Sequence, residues 1–121
     1  MNGKQFRFHD MAIWQRGAAV SGPLFKFADN LEKRRLYRFA EQLRGATLSI
    51  TNNIAEGSGS LSDTDFANFL NIARRSIFEV ANILTLLEPE GHIRTTHTAS
   101  LLTELEEQSP MILAFRRTLK S

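Results

Sequence analysis

Residues 49–60, SITNNIAEGSGS, carry a helical pattern into a Gly/Ser break, and a second, strongly periodic segment begins just beyond it. A chain of this kind makes a helix, a tight turn and another helix, so it folds by packing helices side by side. The segment after the break has the clearest pattern: Phe66, Phe69, Leu70, Ala73, Ile77, Val80, Ile83, Leu84 and Leu87 recur at helical spacing, which predicts a helix over 63–88. Ser62, with Asp65 three residues on, can cap its start. Pro89 and Gly91 end it.

Three further segments follow the same period. Leu36, Phe39, Leu43, Ala46, Ile50 and Ile54 predict a helix over 35–57 with Gly57 as its stop. Trp14, Ala18, Leu24, Phe25, Ala28 and Leu31 predict one over 10–30, which Gly22-Pro23 should kink or split. Leu101, Leu102, Leu105, Ile112, Phe115 and Leu119 predict the last over 97–119, bent at Pro110. Strand alternation is missing throughout. Helices of roughly 22 residues are about 33 Å long, a length that suits antiparallel packing with short connections. The expected fold is all-α, an up-down-up-down four-helix bundle in a single domain spanning residues 1–121.

A hydrophobic share of 42% with 23% charged residues is ordinary for a globular domain. The chain has no cysteine, which excludes disulfides and thiolate metal sites. No apolar run approaches the roughly 20 residues that span a bilayer, and MNGKQFRFHD lacks a signal-peptide core. A cytoplasmic setting without a membrane partner is the expectation. The net charge of +2 is small but unevenly placed, with nine Lys/Arg against four Asp/Glu in residues 1–50 and two against six in residues 51–90.

The third helix is apolar over more than one stripe. Ile72 and Leu86 flank its main seam, and Phe78 falls on an otherwise polar side with Asn71, Asn82 and Thr85. An arc wider than one bundle core requires is the mark of a subunit interface. Asn53 falls on the apolar seam of the second helix, with Glu56 one turn on, and Glu79 shares a column with Ile72 and Leu86. These polar groups read as caps and as determinants of oligomer register. A catalytic pairing of Glu56 with Glu79 or Asp63 lacks a nucleophile, a metal set and a group to orient substrate.

Gly57-Ser58-Gly59-Ser60 before a helix invites comparison with a phosphate loop, but the Lys-Ser/Thr of a Walker motif is missing and Asp63 and Asp65 place negative charge there. His92 and His97 are not at the i, i+4 spacing of a helical metal pair, so these and His9 read as solvated loop residues. No cofactor is expected.

Several short motifs resemble the bacterial four-helix-bundle family of 23S rRNA intervening-sequence proteins. They are Met11-Ala12-Ile13-Trp14-Gln15, Gln42-Leu43-Arg44-Gly45-Ala46 with Ser49-Ile50, Asn53-Ile54-Ala55-Glu56-Gly57, and Asp65-Phe66 with Phe69-Leu70. The resemblance spans residues 11 to about 88 in order and spacing. It implies a left-handed antiparallel bundle that assembles as a ring-like homo-oligomer, a pentamer. Related bundles are basic, nucleic-acid-binding accessories of diversity-generating retroelements. Where the family usually has a basic residue after its Gly-Ser-Gly segment this chain has Ser60, and its own basic character lies at residues 33–38.

Lys33, Arg34, Arg35 and Arg38, beside Tyr37, read as a phosphate-contacting patch that Arg74 and Arg75, and separately Arg116, Arg117 and Lys120, could extend. A ring of subunits multiplies such a patch. The expected function is therefore a non-enzymatic scaffold or adaptor that binds RNA or DNA backbone without sequence preference. A protein-interaction module with an unidentified protein partner comes second, and an enzyme without a recognisable motif third.

Overall fold

The computed structural model describes residues 6–88 and 95–119. A 3₁₀ turn, Arg7–Asp10, leads into four helices: α1 (Ala12–Lys33), α2 (Tyr37–Ser58), α3 (Asp63–Leu87) and α4 (Thr95–Arg117). Among the described residues there is no strand. Each boundary lies within a few residues of the sequence expectation, and Pro89, Gly91, His92 and Lys120 lie outside the described residues.

Contacts between helices fix their directions. Gly17 of α1 faces Ile50 and Thr51 of α2 while Arg44 of α2 reaches back to Asp29 of α1. Ser76 of α3 bonds Ser49 of α2, and Gly57 meets Phe66. The Phe115 ring lies 5.5 Å from Phe66, and Gln108 Nε2 donates to the Ile13 carbonyl at 3.2 Å. Every sequential pair is thus antiparallel, and α4 closes the bundle against α1.

One core runs through all four helices, from Ile13, Leu24 and Leu31 through Leu43, Ile50 and Ile54 to Leu70, Val80 and Leu84, and on to Leu105 and Ile112. Fully burying each of these side chains is worth about 1.5–3 kcal/mol, so the core dominates the stability of the bundle. Arg16 clips α1 to α4 by ion pairs to Glu104 at 3.0 Å and to Glu107. Those hydrogen bonds, Glu104 first, hold its guanidinium above the ordinary arginine range.

Four local expectations are corrected. Gly22-Pro23 does not split α1, which runs unbroken through Pro23. The hydrogen bond that Pro23 cannot donate is offset by burial of Val20, Leu24, Phe27 and Ala28 on the same face. Gly57 does not stop α2; it is buried in the last turn, where a Cβ would come within 2.8 Å of Phe66 and Phe69, and Gly59 is the C-cap. Phe39 does not point inward but is 42% exposed, because Leu36, Ala40 and Leu43 define the buried line of α2. His9 is no solvated loop residue: it packs 4.4 Å from Phe8 and 5.6 Å from Trp14, and exposed His97 lies on α4 with its ring 4.6 Å from Phe27.

Candidate nucleic-acid interface and flanking apolar surfaces

The turn between α1 and α2 is a Schellman motif. Leu36 N–H bonds the Leu31 carbonyl at 2.9 Å and Arg35 N–H bonds that of Glu32 at 2.9 Å. The motif needs a left-handed residue after the helix cap, a place glycine usually fills, and here Arg35 takes it with φ of 66°. Lys33, Arg34, Arg35 and Arg38 are all exposed. Among the described residues Lys33, Arg35 and Arg38 have no ion-pair partner, and Asp29 and Glu32, the acids preceding the patch, are held by Arg44 at 2.8 and 2.6 Å, while Glu41 follows Arg38 by three residues. Hydrogen bonds to Asp29 and then Glu32 raise the Arg44 guanidinium above its usual range.

The same turn starts α2 with no side-chain cap on Leu36 and no acid in its first turn. Its leading N–H groups and the positive end of its dipole face the cations. The start of α3 is built the opposite way, with Ser62 Oγ accepting from Asp65 N–H at 3.1 Å and with Asp63 and Asp65 in the first turn. Phosphate therefore fits the turn at residues 33–38 and not the Gly57–Ser60 segment.

The other basic candidates are elsewhere. Arg74 and Arg75 sit midway along α3, about 20 Å up its axis from the end where the basic turn lies. Arg74 lies with its Cζ 5.2 Å over the Phe78 ring, and its Nε is buried without a hydrogen bond. Arg116 donates to the Ala67 carbonyl at 3.1 Å, at the far end of the bundle. The extended patch expected from the sequence is therefore not one surface.

The interface and register candidates also separate. Phe78 is 58% exposed and lines a depression of about 490 Å³ between α3 and α4 with Ala81, Leu102 and Pro110. Glu79 lies on the other flank of α3, in a groove against α2. Two adjoining depressions there, of about 550 and 410 Å³, share Gln42 and Glu79. Asn53 is half-buried, and its amide donates to the Ser49 carbonyl at 2.7 Å and to Ser49 Oγ at 2.9 Å. Ser76 Oγ donates to the same hydroxyl at 2.8 Å, so Ser49 links α2 to α3 and Asn53 holds that serine from within α2. Glu56 is exposed at the end of α2.

Sequence reasoning passed over Gly45, which lines the groove in mid-helix; a glycine inside a helical pattern is itself a signal. Among the described residues no cluster of three or more His, Asp or Glu could hold a metal. No described helix is long and apolar enough to cross a membrane.

A crystal structure of a protein of unknown function from the S23 ribosomal protein family of Bacteroides thetaiotaomicron VPI-5482 has the same fold, with a TM-score of 0.82. Its sequence is 21% identical, and the match covers 87% of this chain and 98% of that one. A comparison with curated proteins finds no significant match. The profile of the family described as 23S rRNA-intervening sequence protein matches residues 9–114, from the 3₁₀ turn to the last turn of α4. With α1, α2 and α3 whole and all but the last three residues of α4 inside the match, the chain belongs to the 23S rRNA-intervening sequence protein family.

Proposed function

We propose that the protein is a non-enzymatic, cytoplasmic homo-oligomer, a ring of about five copies, that serves as a scaffold binding the phosphate backbone of RNA or DNA at the α1/α2 turn. The observation that carries this reading is the turn itself: exposed cations, an arginine in a left-handed conformation and an uncapped helix start all favour an anion at one place. The family's description, which ties it to 23S rRNA, makes RNA the first probe. Exposed apolar residues on both flanks of α3 support self-association, and symmetry then multiplies the cations.

The test is light scattering with and without a mixed RNA pool, followed by binding at several salt concentrations. Log K falls linearly with log salt, by about 0.7 to 0.9 for each phosphate neutralised. A Lys33/Arg34/Arg35→Ala variant that still assembles binds more weakly and with a shallower slope, while its preference among sequences stays the same. Absence of binding to RNA and DNA at about 50 mM salt, where backbone contacts are strong, would leave a protein-interaction module in its place. The exposed Phe78, Ile72 and Leu86 favour that second reading.

A further inference from the structure

The two exposed flanks of α3 differ in kind. On the α4 side Phe78 stands out, 58% exposed, with the Arg74 guanidinium over its ring and a buried Arg74 Nε that finds no acceptor. Among the described residues Arg74 has no ion-pair partner, although it carries a full charge beside an exposed aromatic ring. On the α2 side the surface is hollow. Phe39, Gly45 and Ser49 line it beside Glu41 and Glu79, and exposed Ile72 and Leu86 lie seven residues either side of Glu79 on α3.

Gly45 sharpens the contrast. A Cβ built on it meets nothing within 4 Å, so no neighbour in the protomer requires the glycine. In mid-helix that glycine costs roughly 0.5–1 kcal/mol relative to alanine. A residue that weakens its own helix and leaves an open slot beside an unpaired carboxylate is fitted to something that enters from outside.

We infer that the two flanks are the halves of one head-to-tail junction between copies of this chain: Phe78 and Arg74 of one copy seat in the α2/α3 groove of the next, over Gly45 and against Glu79. This inference rests on the homo-oligomer reading above and assigns its contacts. Arg38 lines the same groove, so the incoming arginine meets one cation and two carboxylates, Glu41 and Glu79. The Arg74 cation finds its complement in the carboxylates of the groove, which favours a heterologous contact, and such a contact closes as a ring.

The helix supplies the closing angle. Phe78 and Glu79 are consecutive, so their side chains diverge by about 100° around α3. Interface normals in a closed ring diverge by about 90° for four copies and about 108° for five. The polar strip between the flanks, with exposed Asn71 and Arg75, then faces the ring axis.

Sedimentation and light scattering at micromolar concentration test the junction, with circular dichroism as the check on folding. Arg74→Glu and Glu79→Arg each raise the concentration needed for assembly by about tenfold or more, and the double charge swap restores it. Phe78→Asp breaks the knob and Gly45→Gln fills the slot without disturbing the protomer. Each is monomeric alone, and an equimolar mixture yields dimers with one intact junction and no rings. Single variants that keep the wild-type mass overturn these contacts while leaving the oligomer reading standing. Full rings from the mixture overturn the head-to-tail pairing. A monomeric wild-type protein overturns both the junction and the oligomer reading. Should Phe78→Asp unfold, Arg74→Glu takes its place in the mixture.

Discussion

Gly45 and Gly57 lie on one helix, about 18 Å apart, in opposite surroundings. Gly57 is buried where α2 and α3 converge, and Phe66 and Phe69 fill the space its side chain would need. Gly45 faces the same neighbouring helix farther along, and there the space is empty. The first glycine is explained by the fold of one chain. The second is not, and the difference separates a region shaped by packing within the protomer from a region shaped by what the protomer meets.

Substitutions at the two positions separate the regions, and the largest effect belongs to Gly57. Gly57→Ala forces a methyl group into contacts of 2.8 Å with Phe66 and with the Cβ of Phe69, which sits close to the α3 backbone. Overpacking of this kind destabilises by about 1–3 kcal/mol, read as a lower urea midpoint with an unchanged slope. An unchanged midpoint would show that α2 and α3 can move apart there at no cost. Gly45→Ala works the other way. It stabilises the protomer by about 0.5–1 kcal/mol through helix propensity and raises the concentration at which copies assemble. Stability and assembly that rise together would mean the slot admits a methyl group and the neighbour stays at a distance.

The sequence is most legible where one rule acts alone. In α3 the strict period picks out Phe66, Phe69, Leu70, Ala73, Ile77, Val80, Ile83, Leu84 and Leu87, of which all but half-buried Phe69 are buried. In α1, treating Gly22-Pro23 as a break resets the phase, so half-buried Phe25 is taken for core while Ile13, Val20 and Phe27 are passed over. A continuous helix keeps one phase through residues 13, 17, 20, 24, 27 and 31. In α4, buried Thr98, Gln108 and Ser109 alternate with Leu101, Leu105 and Ile112 and dilute the periodic signal. The basic run at 33–38 can be read directly. Its electrostatics cannot, because the engagement of Asp29 and Glu32 by Arg44 depends on how α1 and α2 register. The groove over Gly45 is hidden for a simpler reason: a site made by the absence of a side chain leaves no hydrophobic mark, and its two walls lie on different helices.

The smallest expected effect concerns Arg35, the counterpart of Gly45. At Gly45 the chain holds a glycine that nothing in the protomer requires; at Arg35 it withholds one from a backbone that favours it. A left-handed conformation costs a non-glycine residue roughly 1–2 kcal/mol, and glycine's greater freedom in the unfolded chain returns part of that. Arg35→Gly is therefore expected to stabilise the protomer by about 0.5 kcal/mol, as a slightly higher urea midpoint. If the strain is retained to hold a cation at the turn, the same variant loses up to one phosphate contact per subunit, flattening the salt slope for each bound subunit by about 0.7 to 0.9. Arg35→Lys separates the two contributions, because it keeps the charge and the backbone strain together and leaves both slope and midpoint near wild type. A glycine variant that is more stable and binds RNA with an unaltered salt slope would show that Arg35 serves only the turn, and would confine the phosphate contacts to Lys33, Arg34 and Arg38.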